Sequence, residues 1–416
     1  MLAVLPPLAV AEEDDDDDAL ASIVVTATRS GSIVGKEPLR VEVLPQEEIE
    51  ENQTVQPGNL TTLLAELGGL RMQSTSTGLG GNVLQMRGMP GRHTLVLQDG
   101  LPILGAQTDG FGLLQTPPLD LQRVEVIKGV GSALYGASAL GGVLNLASRT
   151  PESESSILLN RTSRGGTDAV GFAAHEFKPG KGFTLTASIN DQSYEDVDDD
   201  AWADLASYRR YYFRPRFFWK DGDSSVFATL GYVDEDRVGG TMPGQALSDG
   251  TTFRDAIATR RIDGGLSTSN SLSNGLKIAT RWSGSLVDHD RTFGTDLVDD
   301  SMETAYGEGT IAGQAENHVW LVGAAVQYES LESDDAPDAA YRYVVPAVFA
   351  QDEYSPNDIV TLALSARIDS HNEFGTFLSP RFSVLYKPGE DWSLRGSIGS
   401  GFAAPTPLFD EIESTS

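Results

Sequence analysis

The chain of 416 residues contains no cysteine, which excludes disulfide frameworks and thiolate metal sites. Nor is there a stretch of about 18 uncharged apolar residues, so no segment reads as a transmembrane helix. That exclusion does not reach a β-barrel, whose strands cross a membrane with alternating rather than continuous hydrophobicity. Positive charge is scarce: 30 Lys and Arg stand against 60 Asp and Glu. A polyphosphate backbone would be repelled at long range, which argues against nucleic acid as a partner. No H-E-x-x-H, G-x-S-x-G or P-loop pattern occurs, and the 5 histidines are scattered. No catalytic residue and no cofactor is therefore expected, and the chain is not read as an enzyme.

What is present begins with MLAVLPPLAVA, residues 1–11, a short apolar run ending in small residues like the back half of a secretory signal, without the Lys or Arg that should open one. An unbroken acidic run from Glu12 to Asp18 follows, and residues 12–40 read as a flexible extension. One segment in it stands out. In SIVVTATRS, Ser22 to Ser30, the β-branched Ile23, Val24, Val25 and Thr26 favour an extended chain that has no partner nearby in sequence.

Residues 41–150 form a compact α+β unit. PQEEIEEN and PGNLTTLLAEL read as short helices, the second with Pro57 near its start and Gly68 just past its end. NVLQMRG, HTLVLQDG, QRVEVIKG and GGVLNLAS read as strands, and Asp99-Gly100 after alternating apolar residues is a turn signal.

Residues 151–416 differ in kind. Segments with period-2 alternation recur from SSILLNRTSR to WSLRGSIGSG, about thirteen candidate strands with no helix of comparable length among them. Tight turns such as KPGKG, KDGDS, SNG, YSPND and KPGED alternate with longer polar stretches, among them SYEDVDDDAWADLAS, DEDRVGGTMPGQALSDGTTFRD, DHDRTFGTDLVDDSM and ESLESDDAPDAAYR. Short connections on one side and long ones on the other suit an outer-membrane barrel better than a sandwich or propeller. Tyr211, Tyr212, Phe217, Phe218, Trp219, Tyr341, Tyr343, Tyr354, Tyr386 and Trp392 are expected in interfacial girdles.

Three apparent sites fail on inspection. After VEVIKG the third glycine of a dinucleotide fingerprint is replaced by Leu134. Asp196, Asp198 and Asp200 open like a calcium loop, but Ala201 replaces the needed Gly and Ser207 the bidentate Glu. Met86, Met89 and His93 suggest a soft-metal site, yet strand periodicity sends the two methionines to opposite faces, so no metal site is assigned.

The stretches NVLQMRGMPGRHTLVLQDGLPI and PPLDLQRVEVIKGVGSALYGASALGGVLNLASRTP closely resemble the plug domain of TonB-dependent outer-membrane receptors, and the likeness runs over residues 22–150. PRFSVLYKPGEDWSLRGSIGSGFAAPTPLFDE resembles the barrel of the same family. The resemblance implies an α+β plug at 41–150 followed by an antiparallel transmembrane β-barrel at 151–416, in a family whose barrels have about 22 strands. About thirteen strands fit here, so a fragment with a partial barrel is expected.

Further implications are a place in the outer membrane of a Gram-negative bacterium and energised uptake of a scarce ligand. A ferric siderophore is expected first; cobalamin, copper or carbohydrate ligands are alternatives. Ile23, Val24, Val25, Thr26 and Ala27 would be the TonB box, adding a strand to the periplasmic domain of TonB. Met89, Pro90, Gly91, Arg92, Gln107 and Phe111 are candidate ligand contacts at the plug apex. Gly88, Asp99, Gly100, Gly129, Gly136, Gly141 and Gly142 would be plug scaffold, with Arg87 and Glu125 buried and paired. A passive outer-membrane barrel, or a soluble β-rich binding protein, would need neither the plug signature nor the extended segment.

Overall fold

The computed structural model describes residues 38–53, 58–74, 78–104, 111–335, 337–389 and 392–405. Ile23 to Ala27 and Gln107 lie outside these residues.

The N-terminal unit contains β1 (Val41–Pro45), α1 (Gln46–Gln53), α2 (Thr61–Glu66), β2 (Leu70–Ser74), β3 (Asn82–Met86), β4 (Thr94–Gln98), β5 (Leu101–Pro102), β6 (Leu121–Lys128), α3 (Ser132–Tyr135) and β7 (Gly142–Ser148). Five strands form a sheet in the order β1-β6-β7-β4-β5, with β4 parallel to β7, while β2 and β3 pair separately. Pro45 precedes α1, and Glu47 and Glu48 in its first turn complement the helix dipole. Neither β1 nor β2 is among the four strands read from the sequence; VEVLP and LRMQS are short and carry little alternation.

Every residue of β7 is buried, which explains its nearly continuous apolar sequence. Leu144 and Leu146 pack with Ile49, Leu60, Leu63 and Leu64 beneath the two helices. Val143 points the other way with Leu95, Leu97 and Leu134, into a cluster completed by Tyr306, Leu321, Ala325 and Phe349 of the C-terminal unit. One face of the plug sheet is thus covered by its own helices and the other by the barrel wall.

That wall is one antiparallel sheet of thirteen strands in sequence order: β8 (Ser156–Arg161), β9 (Gly166–Lys178), β10 (Lys181–Gln192), β11 (Ser207–Asp221), β12 (Ser224–Gly240), β13 (Arg254–Ser271), β14 (Lys277–Phe293), β15 (Asp296–Ala315), β16 (His318–Ser333), β17 (Tyr341–Asn357), β18 (Val360–His371), β19 (Gly375–Gly389) and β20 (Trp392–Gly399). All thirteen candidate segments are strands. No helix among the described residues is long and apolar enough to cross a membrane.

Alternation sorts the two faces. In β18 the odd residues from Ala363 to His371 are buried and the even ones from Leu364 to Ser370 exposed. The outward face carries Ile189, Phe213, Leu230, Ile262, Leu286, Val348, Leu364, Ile368 and Leu378, a band of exposed apolar side chains that water alone would penalise. Along β12 the outward residues change from Leu230 through Tyr232 to Asp234 and Asp236, the last two lining an acidic cleft of about 530 Å³ with Asp288, Asp290 and Asp299. Apolar, then aromatic, then acidic is the order met on leaving a bilayer.

Two expectations need correction. DHDRTFGTDLVDDSM is not a long loop: β14 and β15 pair without a break to Phe293 and Asp296, leaving only Gly294 and Thr295 between them. Where polar residues such as Asp288, His289 and Asp290 occupy both strand faces, hydrophobic alternation disappears while the backbone ladder continues, so the pattern cannot mark the strand end. The aromatic girdle also loses members. Tyr211, Phe217, Tyr354, Tyr386 and Trp392 are exposed, but Tyr212 is buried, and Tyr341 and Tyr343 share the strand face of the buried Phe349.

Candidate functional site

The plug signature is a hydrogen-bonded unit. Asp99 and Gly100 both have positive φ (54° and 75°), the conformation of a tight type I′ turn between β4 and β5. The Gly100 amide donates to Asn145 Oδ1 at 2.9 Å, and Asn145 Nδ2 donates to Glu125 Oε2 at 3.0 Å. Glu125, fully buried, also accepts from Arg123 Nε at 2.8 Å. Asp99 Oδ1 accepts from the amide and hydroxyl of Ser148 at 2.8 and 2.7 Å. LQDG, RVEV and GGVLN, far apart in sequence, are therefore one buried network in which each polar group satisfies another.

Asp99 carries this network to the wall. Its Oδ2 accepts from Arg216 Nε at 3.2 Å, and Arg216 Nη1 donates to Asp120 Oδ2 at 2.7 Å. Thr186 of β10 also donates to Asp120, at 2.7 Å. Arg216 and Asp120 are both fully buried, so their charges face each other with no water between. Three pleat repeats away on the same strand, Arg210 Nη1 donates to Leu114 O at 2.6 Å and its Nη2 to Gly58 O at 2.7 Å. Arg237 donates through Nη1 to Leu79 O at 2.9 Å. On the β18–β19 side, Arg367 reaches Leu134 O at 3.1 Å and Arg381 reaches Val130 O at 3.2 Å.

Sequence reasoning passed over these wall arginines. Their signal is nonetheless present in RYYFRPRFF, where Arg210, Tyr212, Arg214 and Arg216 recur at every second position opposite a largely aromatic outer face. Opposite charges two residues apart on one strand mark the same face: Glu235 with Arg237, Arg261 with Asp263, and Arg367 with Asp369.

The end of the barrel with the longer connections is lined by rings. Trp202 stacks on Phe253 at 5.9 Å and Phe253 meets Phe293 edge-on at 4.9 Å, joining two connections to the end of β14. Tyr341, Tyr343, His371 and Phe374 form a second chain of ring contacts, each 4.6 to 4.8 Å from the next. In the connection before β11, the carboxylates of Asp196, Asp198 and Asp204 lie within 4.8 Å of one another. The charge of Asp200 foremost pushes the Asp198 carboxyl above its ordinary range.

The structure does not gather the candidate ligand contacts into one site. Met89 is exposed, Pro90 and Arg92 are half-buried and Gly91 is buried, beside the stretch of plug that holds Gly141. Phe111 is only 4% exposed, packed with Leu79, Leu114 and Ile257 and lying under the Arg237 guanidinium at 5.3 Å. It serves the plug–wall seam rather than an open ligand surface. Arg87 also departs from expectation: it is exposed, with φ 53°, in the turn after β3, and Glu125 pairs with Arg123 instead. The Arg87 guanidinium lies near Gly129, just past the end of β6. Met86 is fully buried, its sulfur over Gly142, while Met89 is exposed. Gly88, Gly129, Gly136 and Gly142 have positive φ, and Gly141 lies against the His93 carbonyl.

Comparison with known proteins agrees with this geometry. Residues 34–143 match the TonB-dependent receptor plug domain, and residues 140–412 the TonB-dependent receptor-like β-barrel. The iron-regulated outer membrane virulence protein of Vibrio cholerae is 23% identical over 92% of this chain and 60% of its own length. The vitamin B12 transporter BtuB of Vibrio vulnificus is 24% identical over 92% of this chain and 63% of its own. Among solved structures, the ferric enterobactin receptor PfeA of Pseudomonas aeruginosa superposes with a TM-score of 0.75 at 15% identity, covering 90% of this chain and 63% of that one. The chain thus spans about 60% of the length of the relatives it matches. With a plug and a barrel sheet that together account for nearly all of its residues, it belongs to the TonB-dependent receptor family.

Proposed function

We propose that this chain is part of an energised outer-membrane importer of a scarce ligand, most readily a ferric siderophore. The observation that carries the reading is the plug seated against the inward face of the sheet, with its signature network tied to Arg216. A lumen filled in this way is not an open pore, and passage requires the plug to move. Work is therefore needed, and TonB, grasping Ile23 to Ala27 as an added strand, would supply it. In this mechanism the ligand binds on the side of the longer connections, and binding exposes the box to the periplasm.

The siderophore is supported by what similar proteins are called: an iron-regulated protein and a ferric enterobactin receptor. The B12 transporter supports cobalamin as a second cargo. A deletion strain complemented with the gene and grown on single iron sources separates them. Growth restored on a ferric siderophore is expected; restoration only of cobalamin-dependent growth would replace the first cargo by the second.

A further inference from the structure

We infer that Arg216, Thr184 and Thr186 form an oxyanion site on the inner face of the wall, which the plug's own carboxylates fill at rest and an anionic cargo takes over as the plug withdraws. The three side chains share one face by register: Thr184 lies opposite Arg216, and Thr186 opposite Arg214, in the β10–β11 ladder. All three are at most 1% exposed. Together they present two hydroxyls and a guanidinium fork, a donor set suited to carboxylate, catecholate or phosphate oxygens.

Arg216 differs from its neighbours in where its counter-charge comes from. Arg210, Arg214, Arg281 and Arg367 pair with Glu235, Asp263, Glu308 and Asp369, all on the wall itself. Arg216 pairs with Asp99 at 3.2 Å and Asp120 at 2.7 Å, both on the plug. When the plug moves, Arg216 alone of these five loses its ion-pair partners. The plug also leaves the site partly used. Asp120 meets Arg216 and Thr186 through Oδ2 only. Its Oδ1, Arg216 Nη2 and Thr184 Oγ1 have no hydrogen-bond partner among the described residues. Asp120, fixed to the plug backbone, thus leaves two donors unmet that a free oxyanion is able to reach. A stranded guanidinium is costly, so an anion that replaces Asp99 and Asp120 favours the withdrawn state. The cargo selected in this way is a chelate with oxyanions on its surface.

This inference rests on the importer reading, and two measurements separate the failures. In the membrane-inserted protein, inorganic phosphate at constant ionic strength should raise the equilibrium constant for plug release in denaturant, about tenfold once it stands about tenfold above its Kd. Proteolysis of the plug reads that constant. Thr184→Val should release at the parent's midpoint without phosphate, because Thr184 Oγ1 bonds nothing at rest, yet respond less to phosphate. Arg216→Gln should show only the general effect of the salt on burial, which all three proteins share. An equal phosphate response in all three, or none in the parent, overturns the site. The second measurement is uptake of a radiolabelled ferric tris-catecholate, a trianionic chelate. Arg216→Gln and Asp120→Asn break the same ion pair from opposite sides, and only the first removes the site. The maximal uptake rate should fall about tenfold in Arg216→Gln and clearly less in Asp120→Asn. Equal losses mean that the pair only holds the plug, and overturn the inference. No uptake by the parent is a failure of the importer reading for this cargo, and the phosphate result then decides the site alone.

Discussion

Replacing Arg216 with methionine is expected to loosen the plug from the wall by about 3–5 kcal/mol, the cost of stranding a buried charge. The substitution keeps much of the hydrophobic stem and removes only the guanidinium. Asp120, fully buried, would then retain Thr186 as its neighbour but no counter-charge, and Asp99 would lose the bond that joins the signature network to the barrel. Denaturant titration of the membrane-inserted protein, read by proteolysis of the plug, measures the effect. A midpoint unchanged within error would mean that Arg216 is not what holds the plug at this edge. Replacing Arg216 and Asp120 together by apolar residues of similar volume should cost less than the single change, because the fully buried charge of Asp120 is removed with its partner.

The second large effect is expected inside the plug. At Gly142 φ is 153°, and an added Cβ would stand 2.1 Å from Met86 Sδ and 2.4 Å from the Ile127 carbonyl oxygen. The methionine tip is able to swing aside, whereas the carbonyl belongs to the β6–β7 ladder and has no such freedom. Gly142→Ala should therefore destabilise the plug by about 3 kcal/mol, at the upper end of overpacking costs. Gly141→Ala, whose Cβ would meet the His93 carbonyl oxygen at 3.1 Å, should cost clearly less. Thermal or denaturant unfolding of the two variants side by side checks the order, and equal stability of Gly142→Ala and the parent would refute it.

These two residues also show how far the sequence could be read. Gly142 belongs to a glycine pair before an apolar run, so close packing there was legible, although its partner Met86 was not. Arg216 was invisible as a functional group, because its partners Asp99 and Asp120 stand about a hundred residues away and only the fold brings them together. The thirteen wall strands were legible because an apolar outer face imposes period-2 alternation. Their upper ends were not, since Asp288 and Asp290 face outward beyond the apolar band and the residue between them on the inner face, His289, is polar too. Arg87 was misplaced for a different reason. A charged residue beside a glycine turn reads as a buried anchor, whereas Arg87 is exposed in that turn, with its guanidinium near Gly129.

The account stands or falls on the use of cellular energy through the segment around Val25. On the proposed reading, Val25→Pro removes a main-chain donor and would block strand addition to TonB, while the sequence of the plug and of the barrel strands stays unchanged. Uptake of radiolabelled ferric siderophore by cells carrying this change is the direct measurement. Surface binding at the parent level, with uptake reduced to that of cells lacking TonB, is the predicted result; uptake at the parent rate would contradict the account.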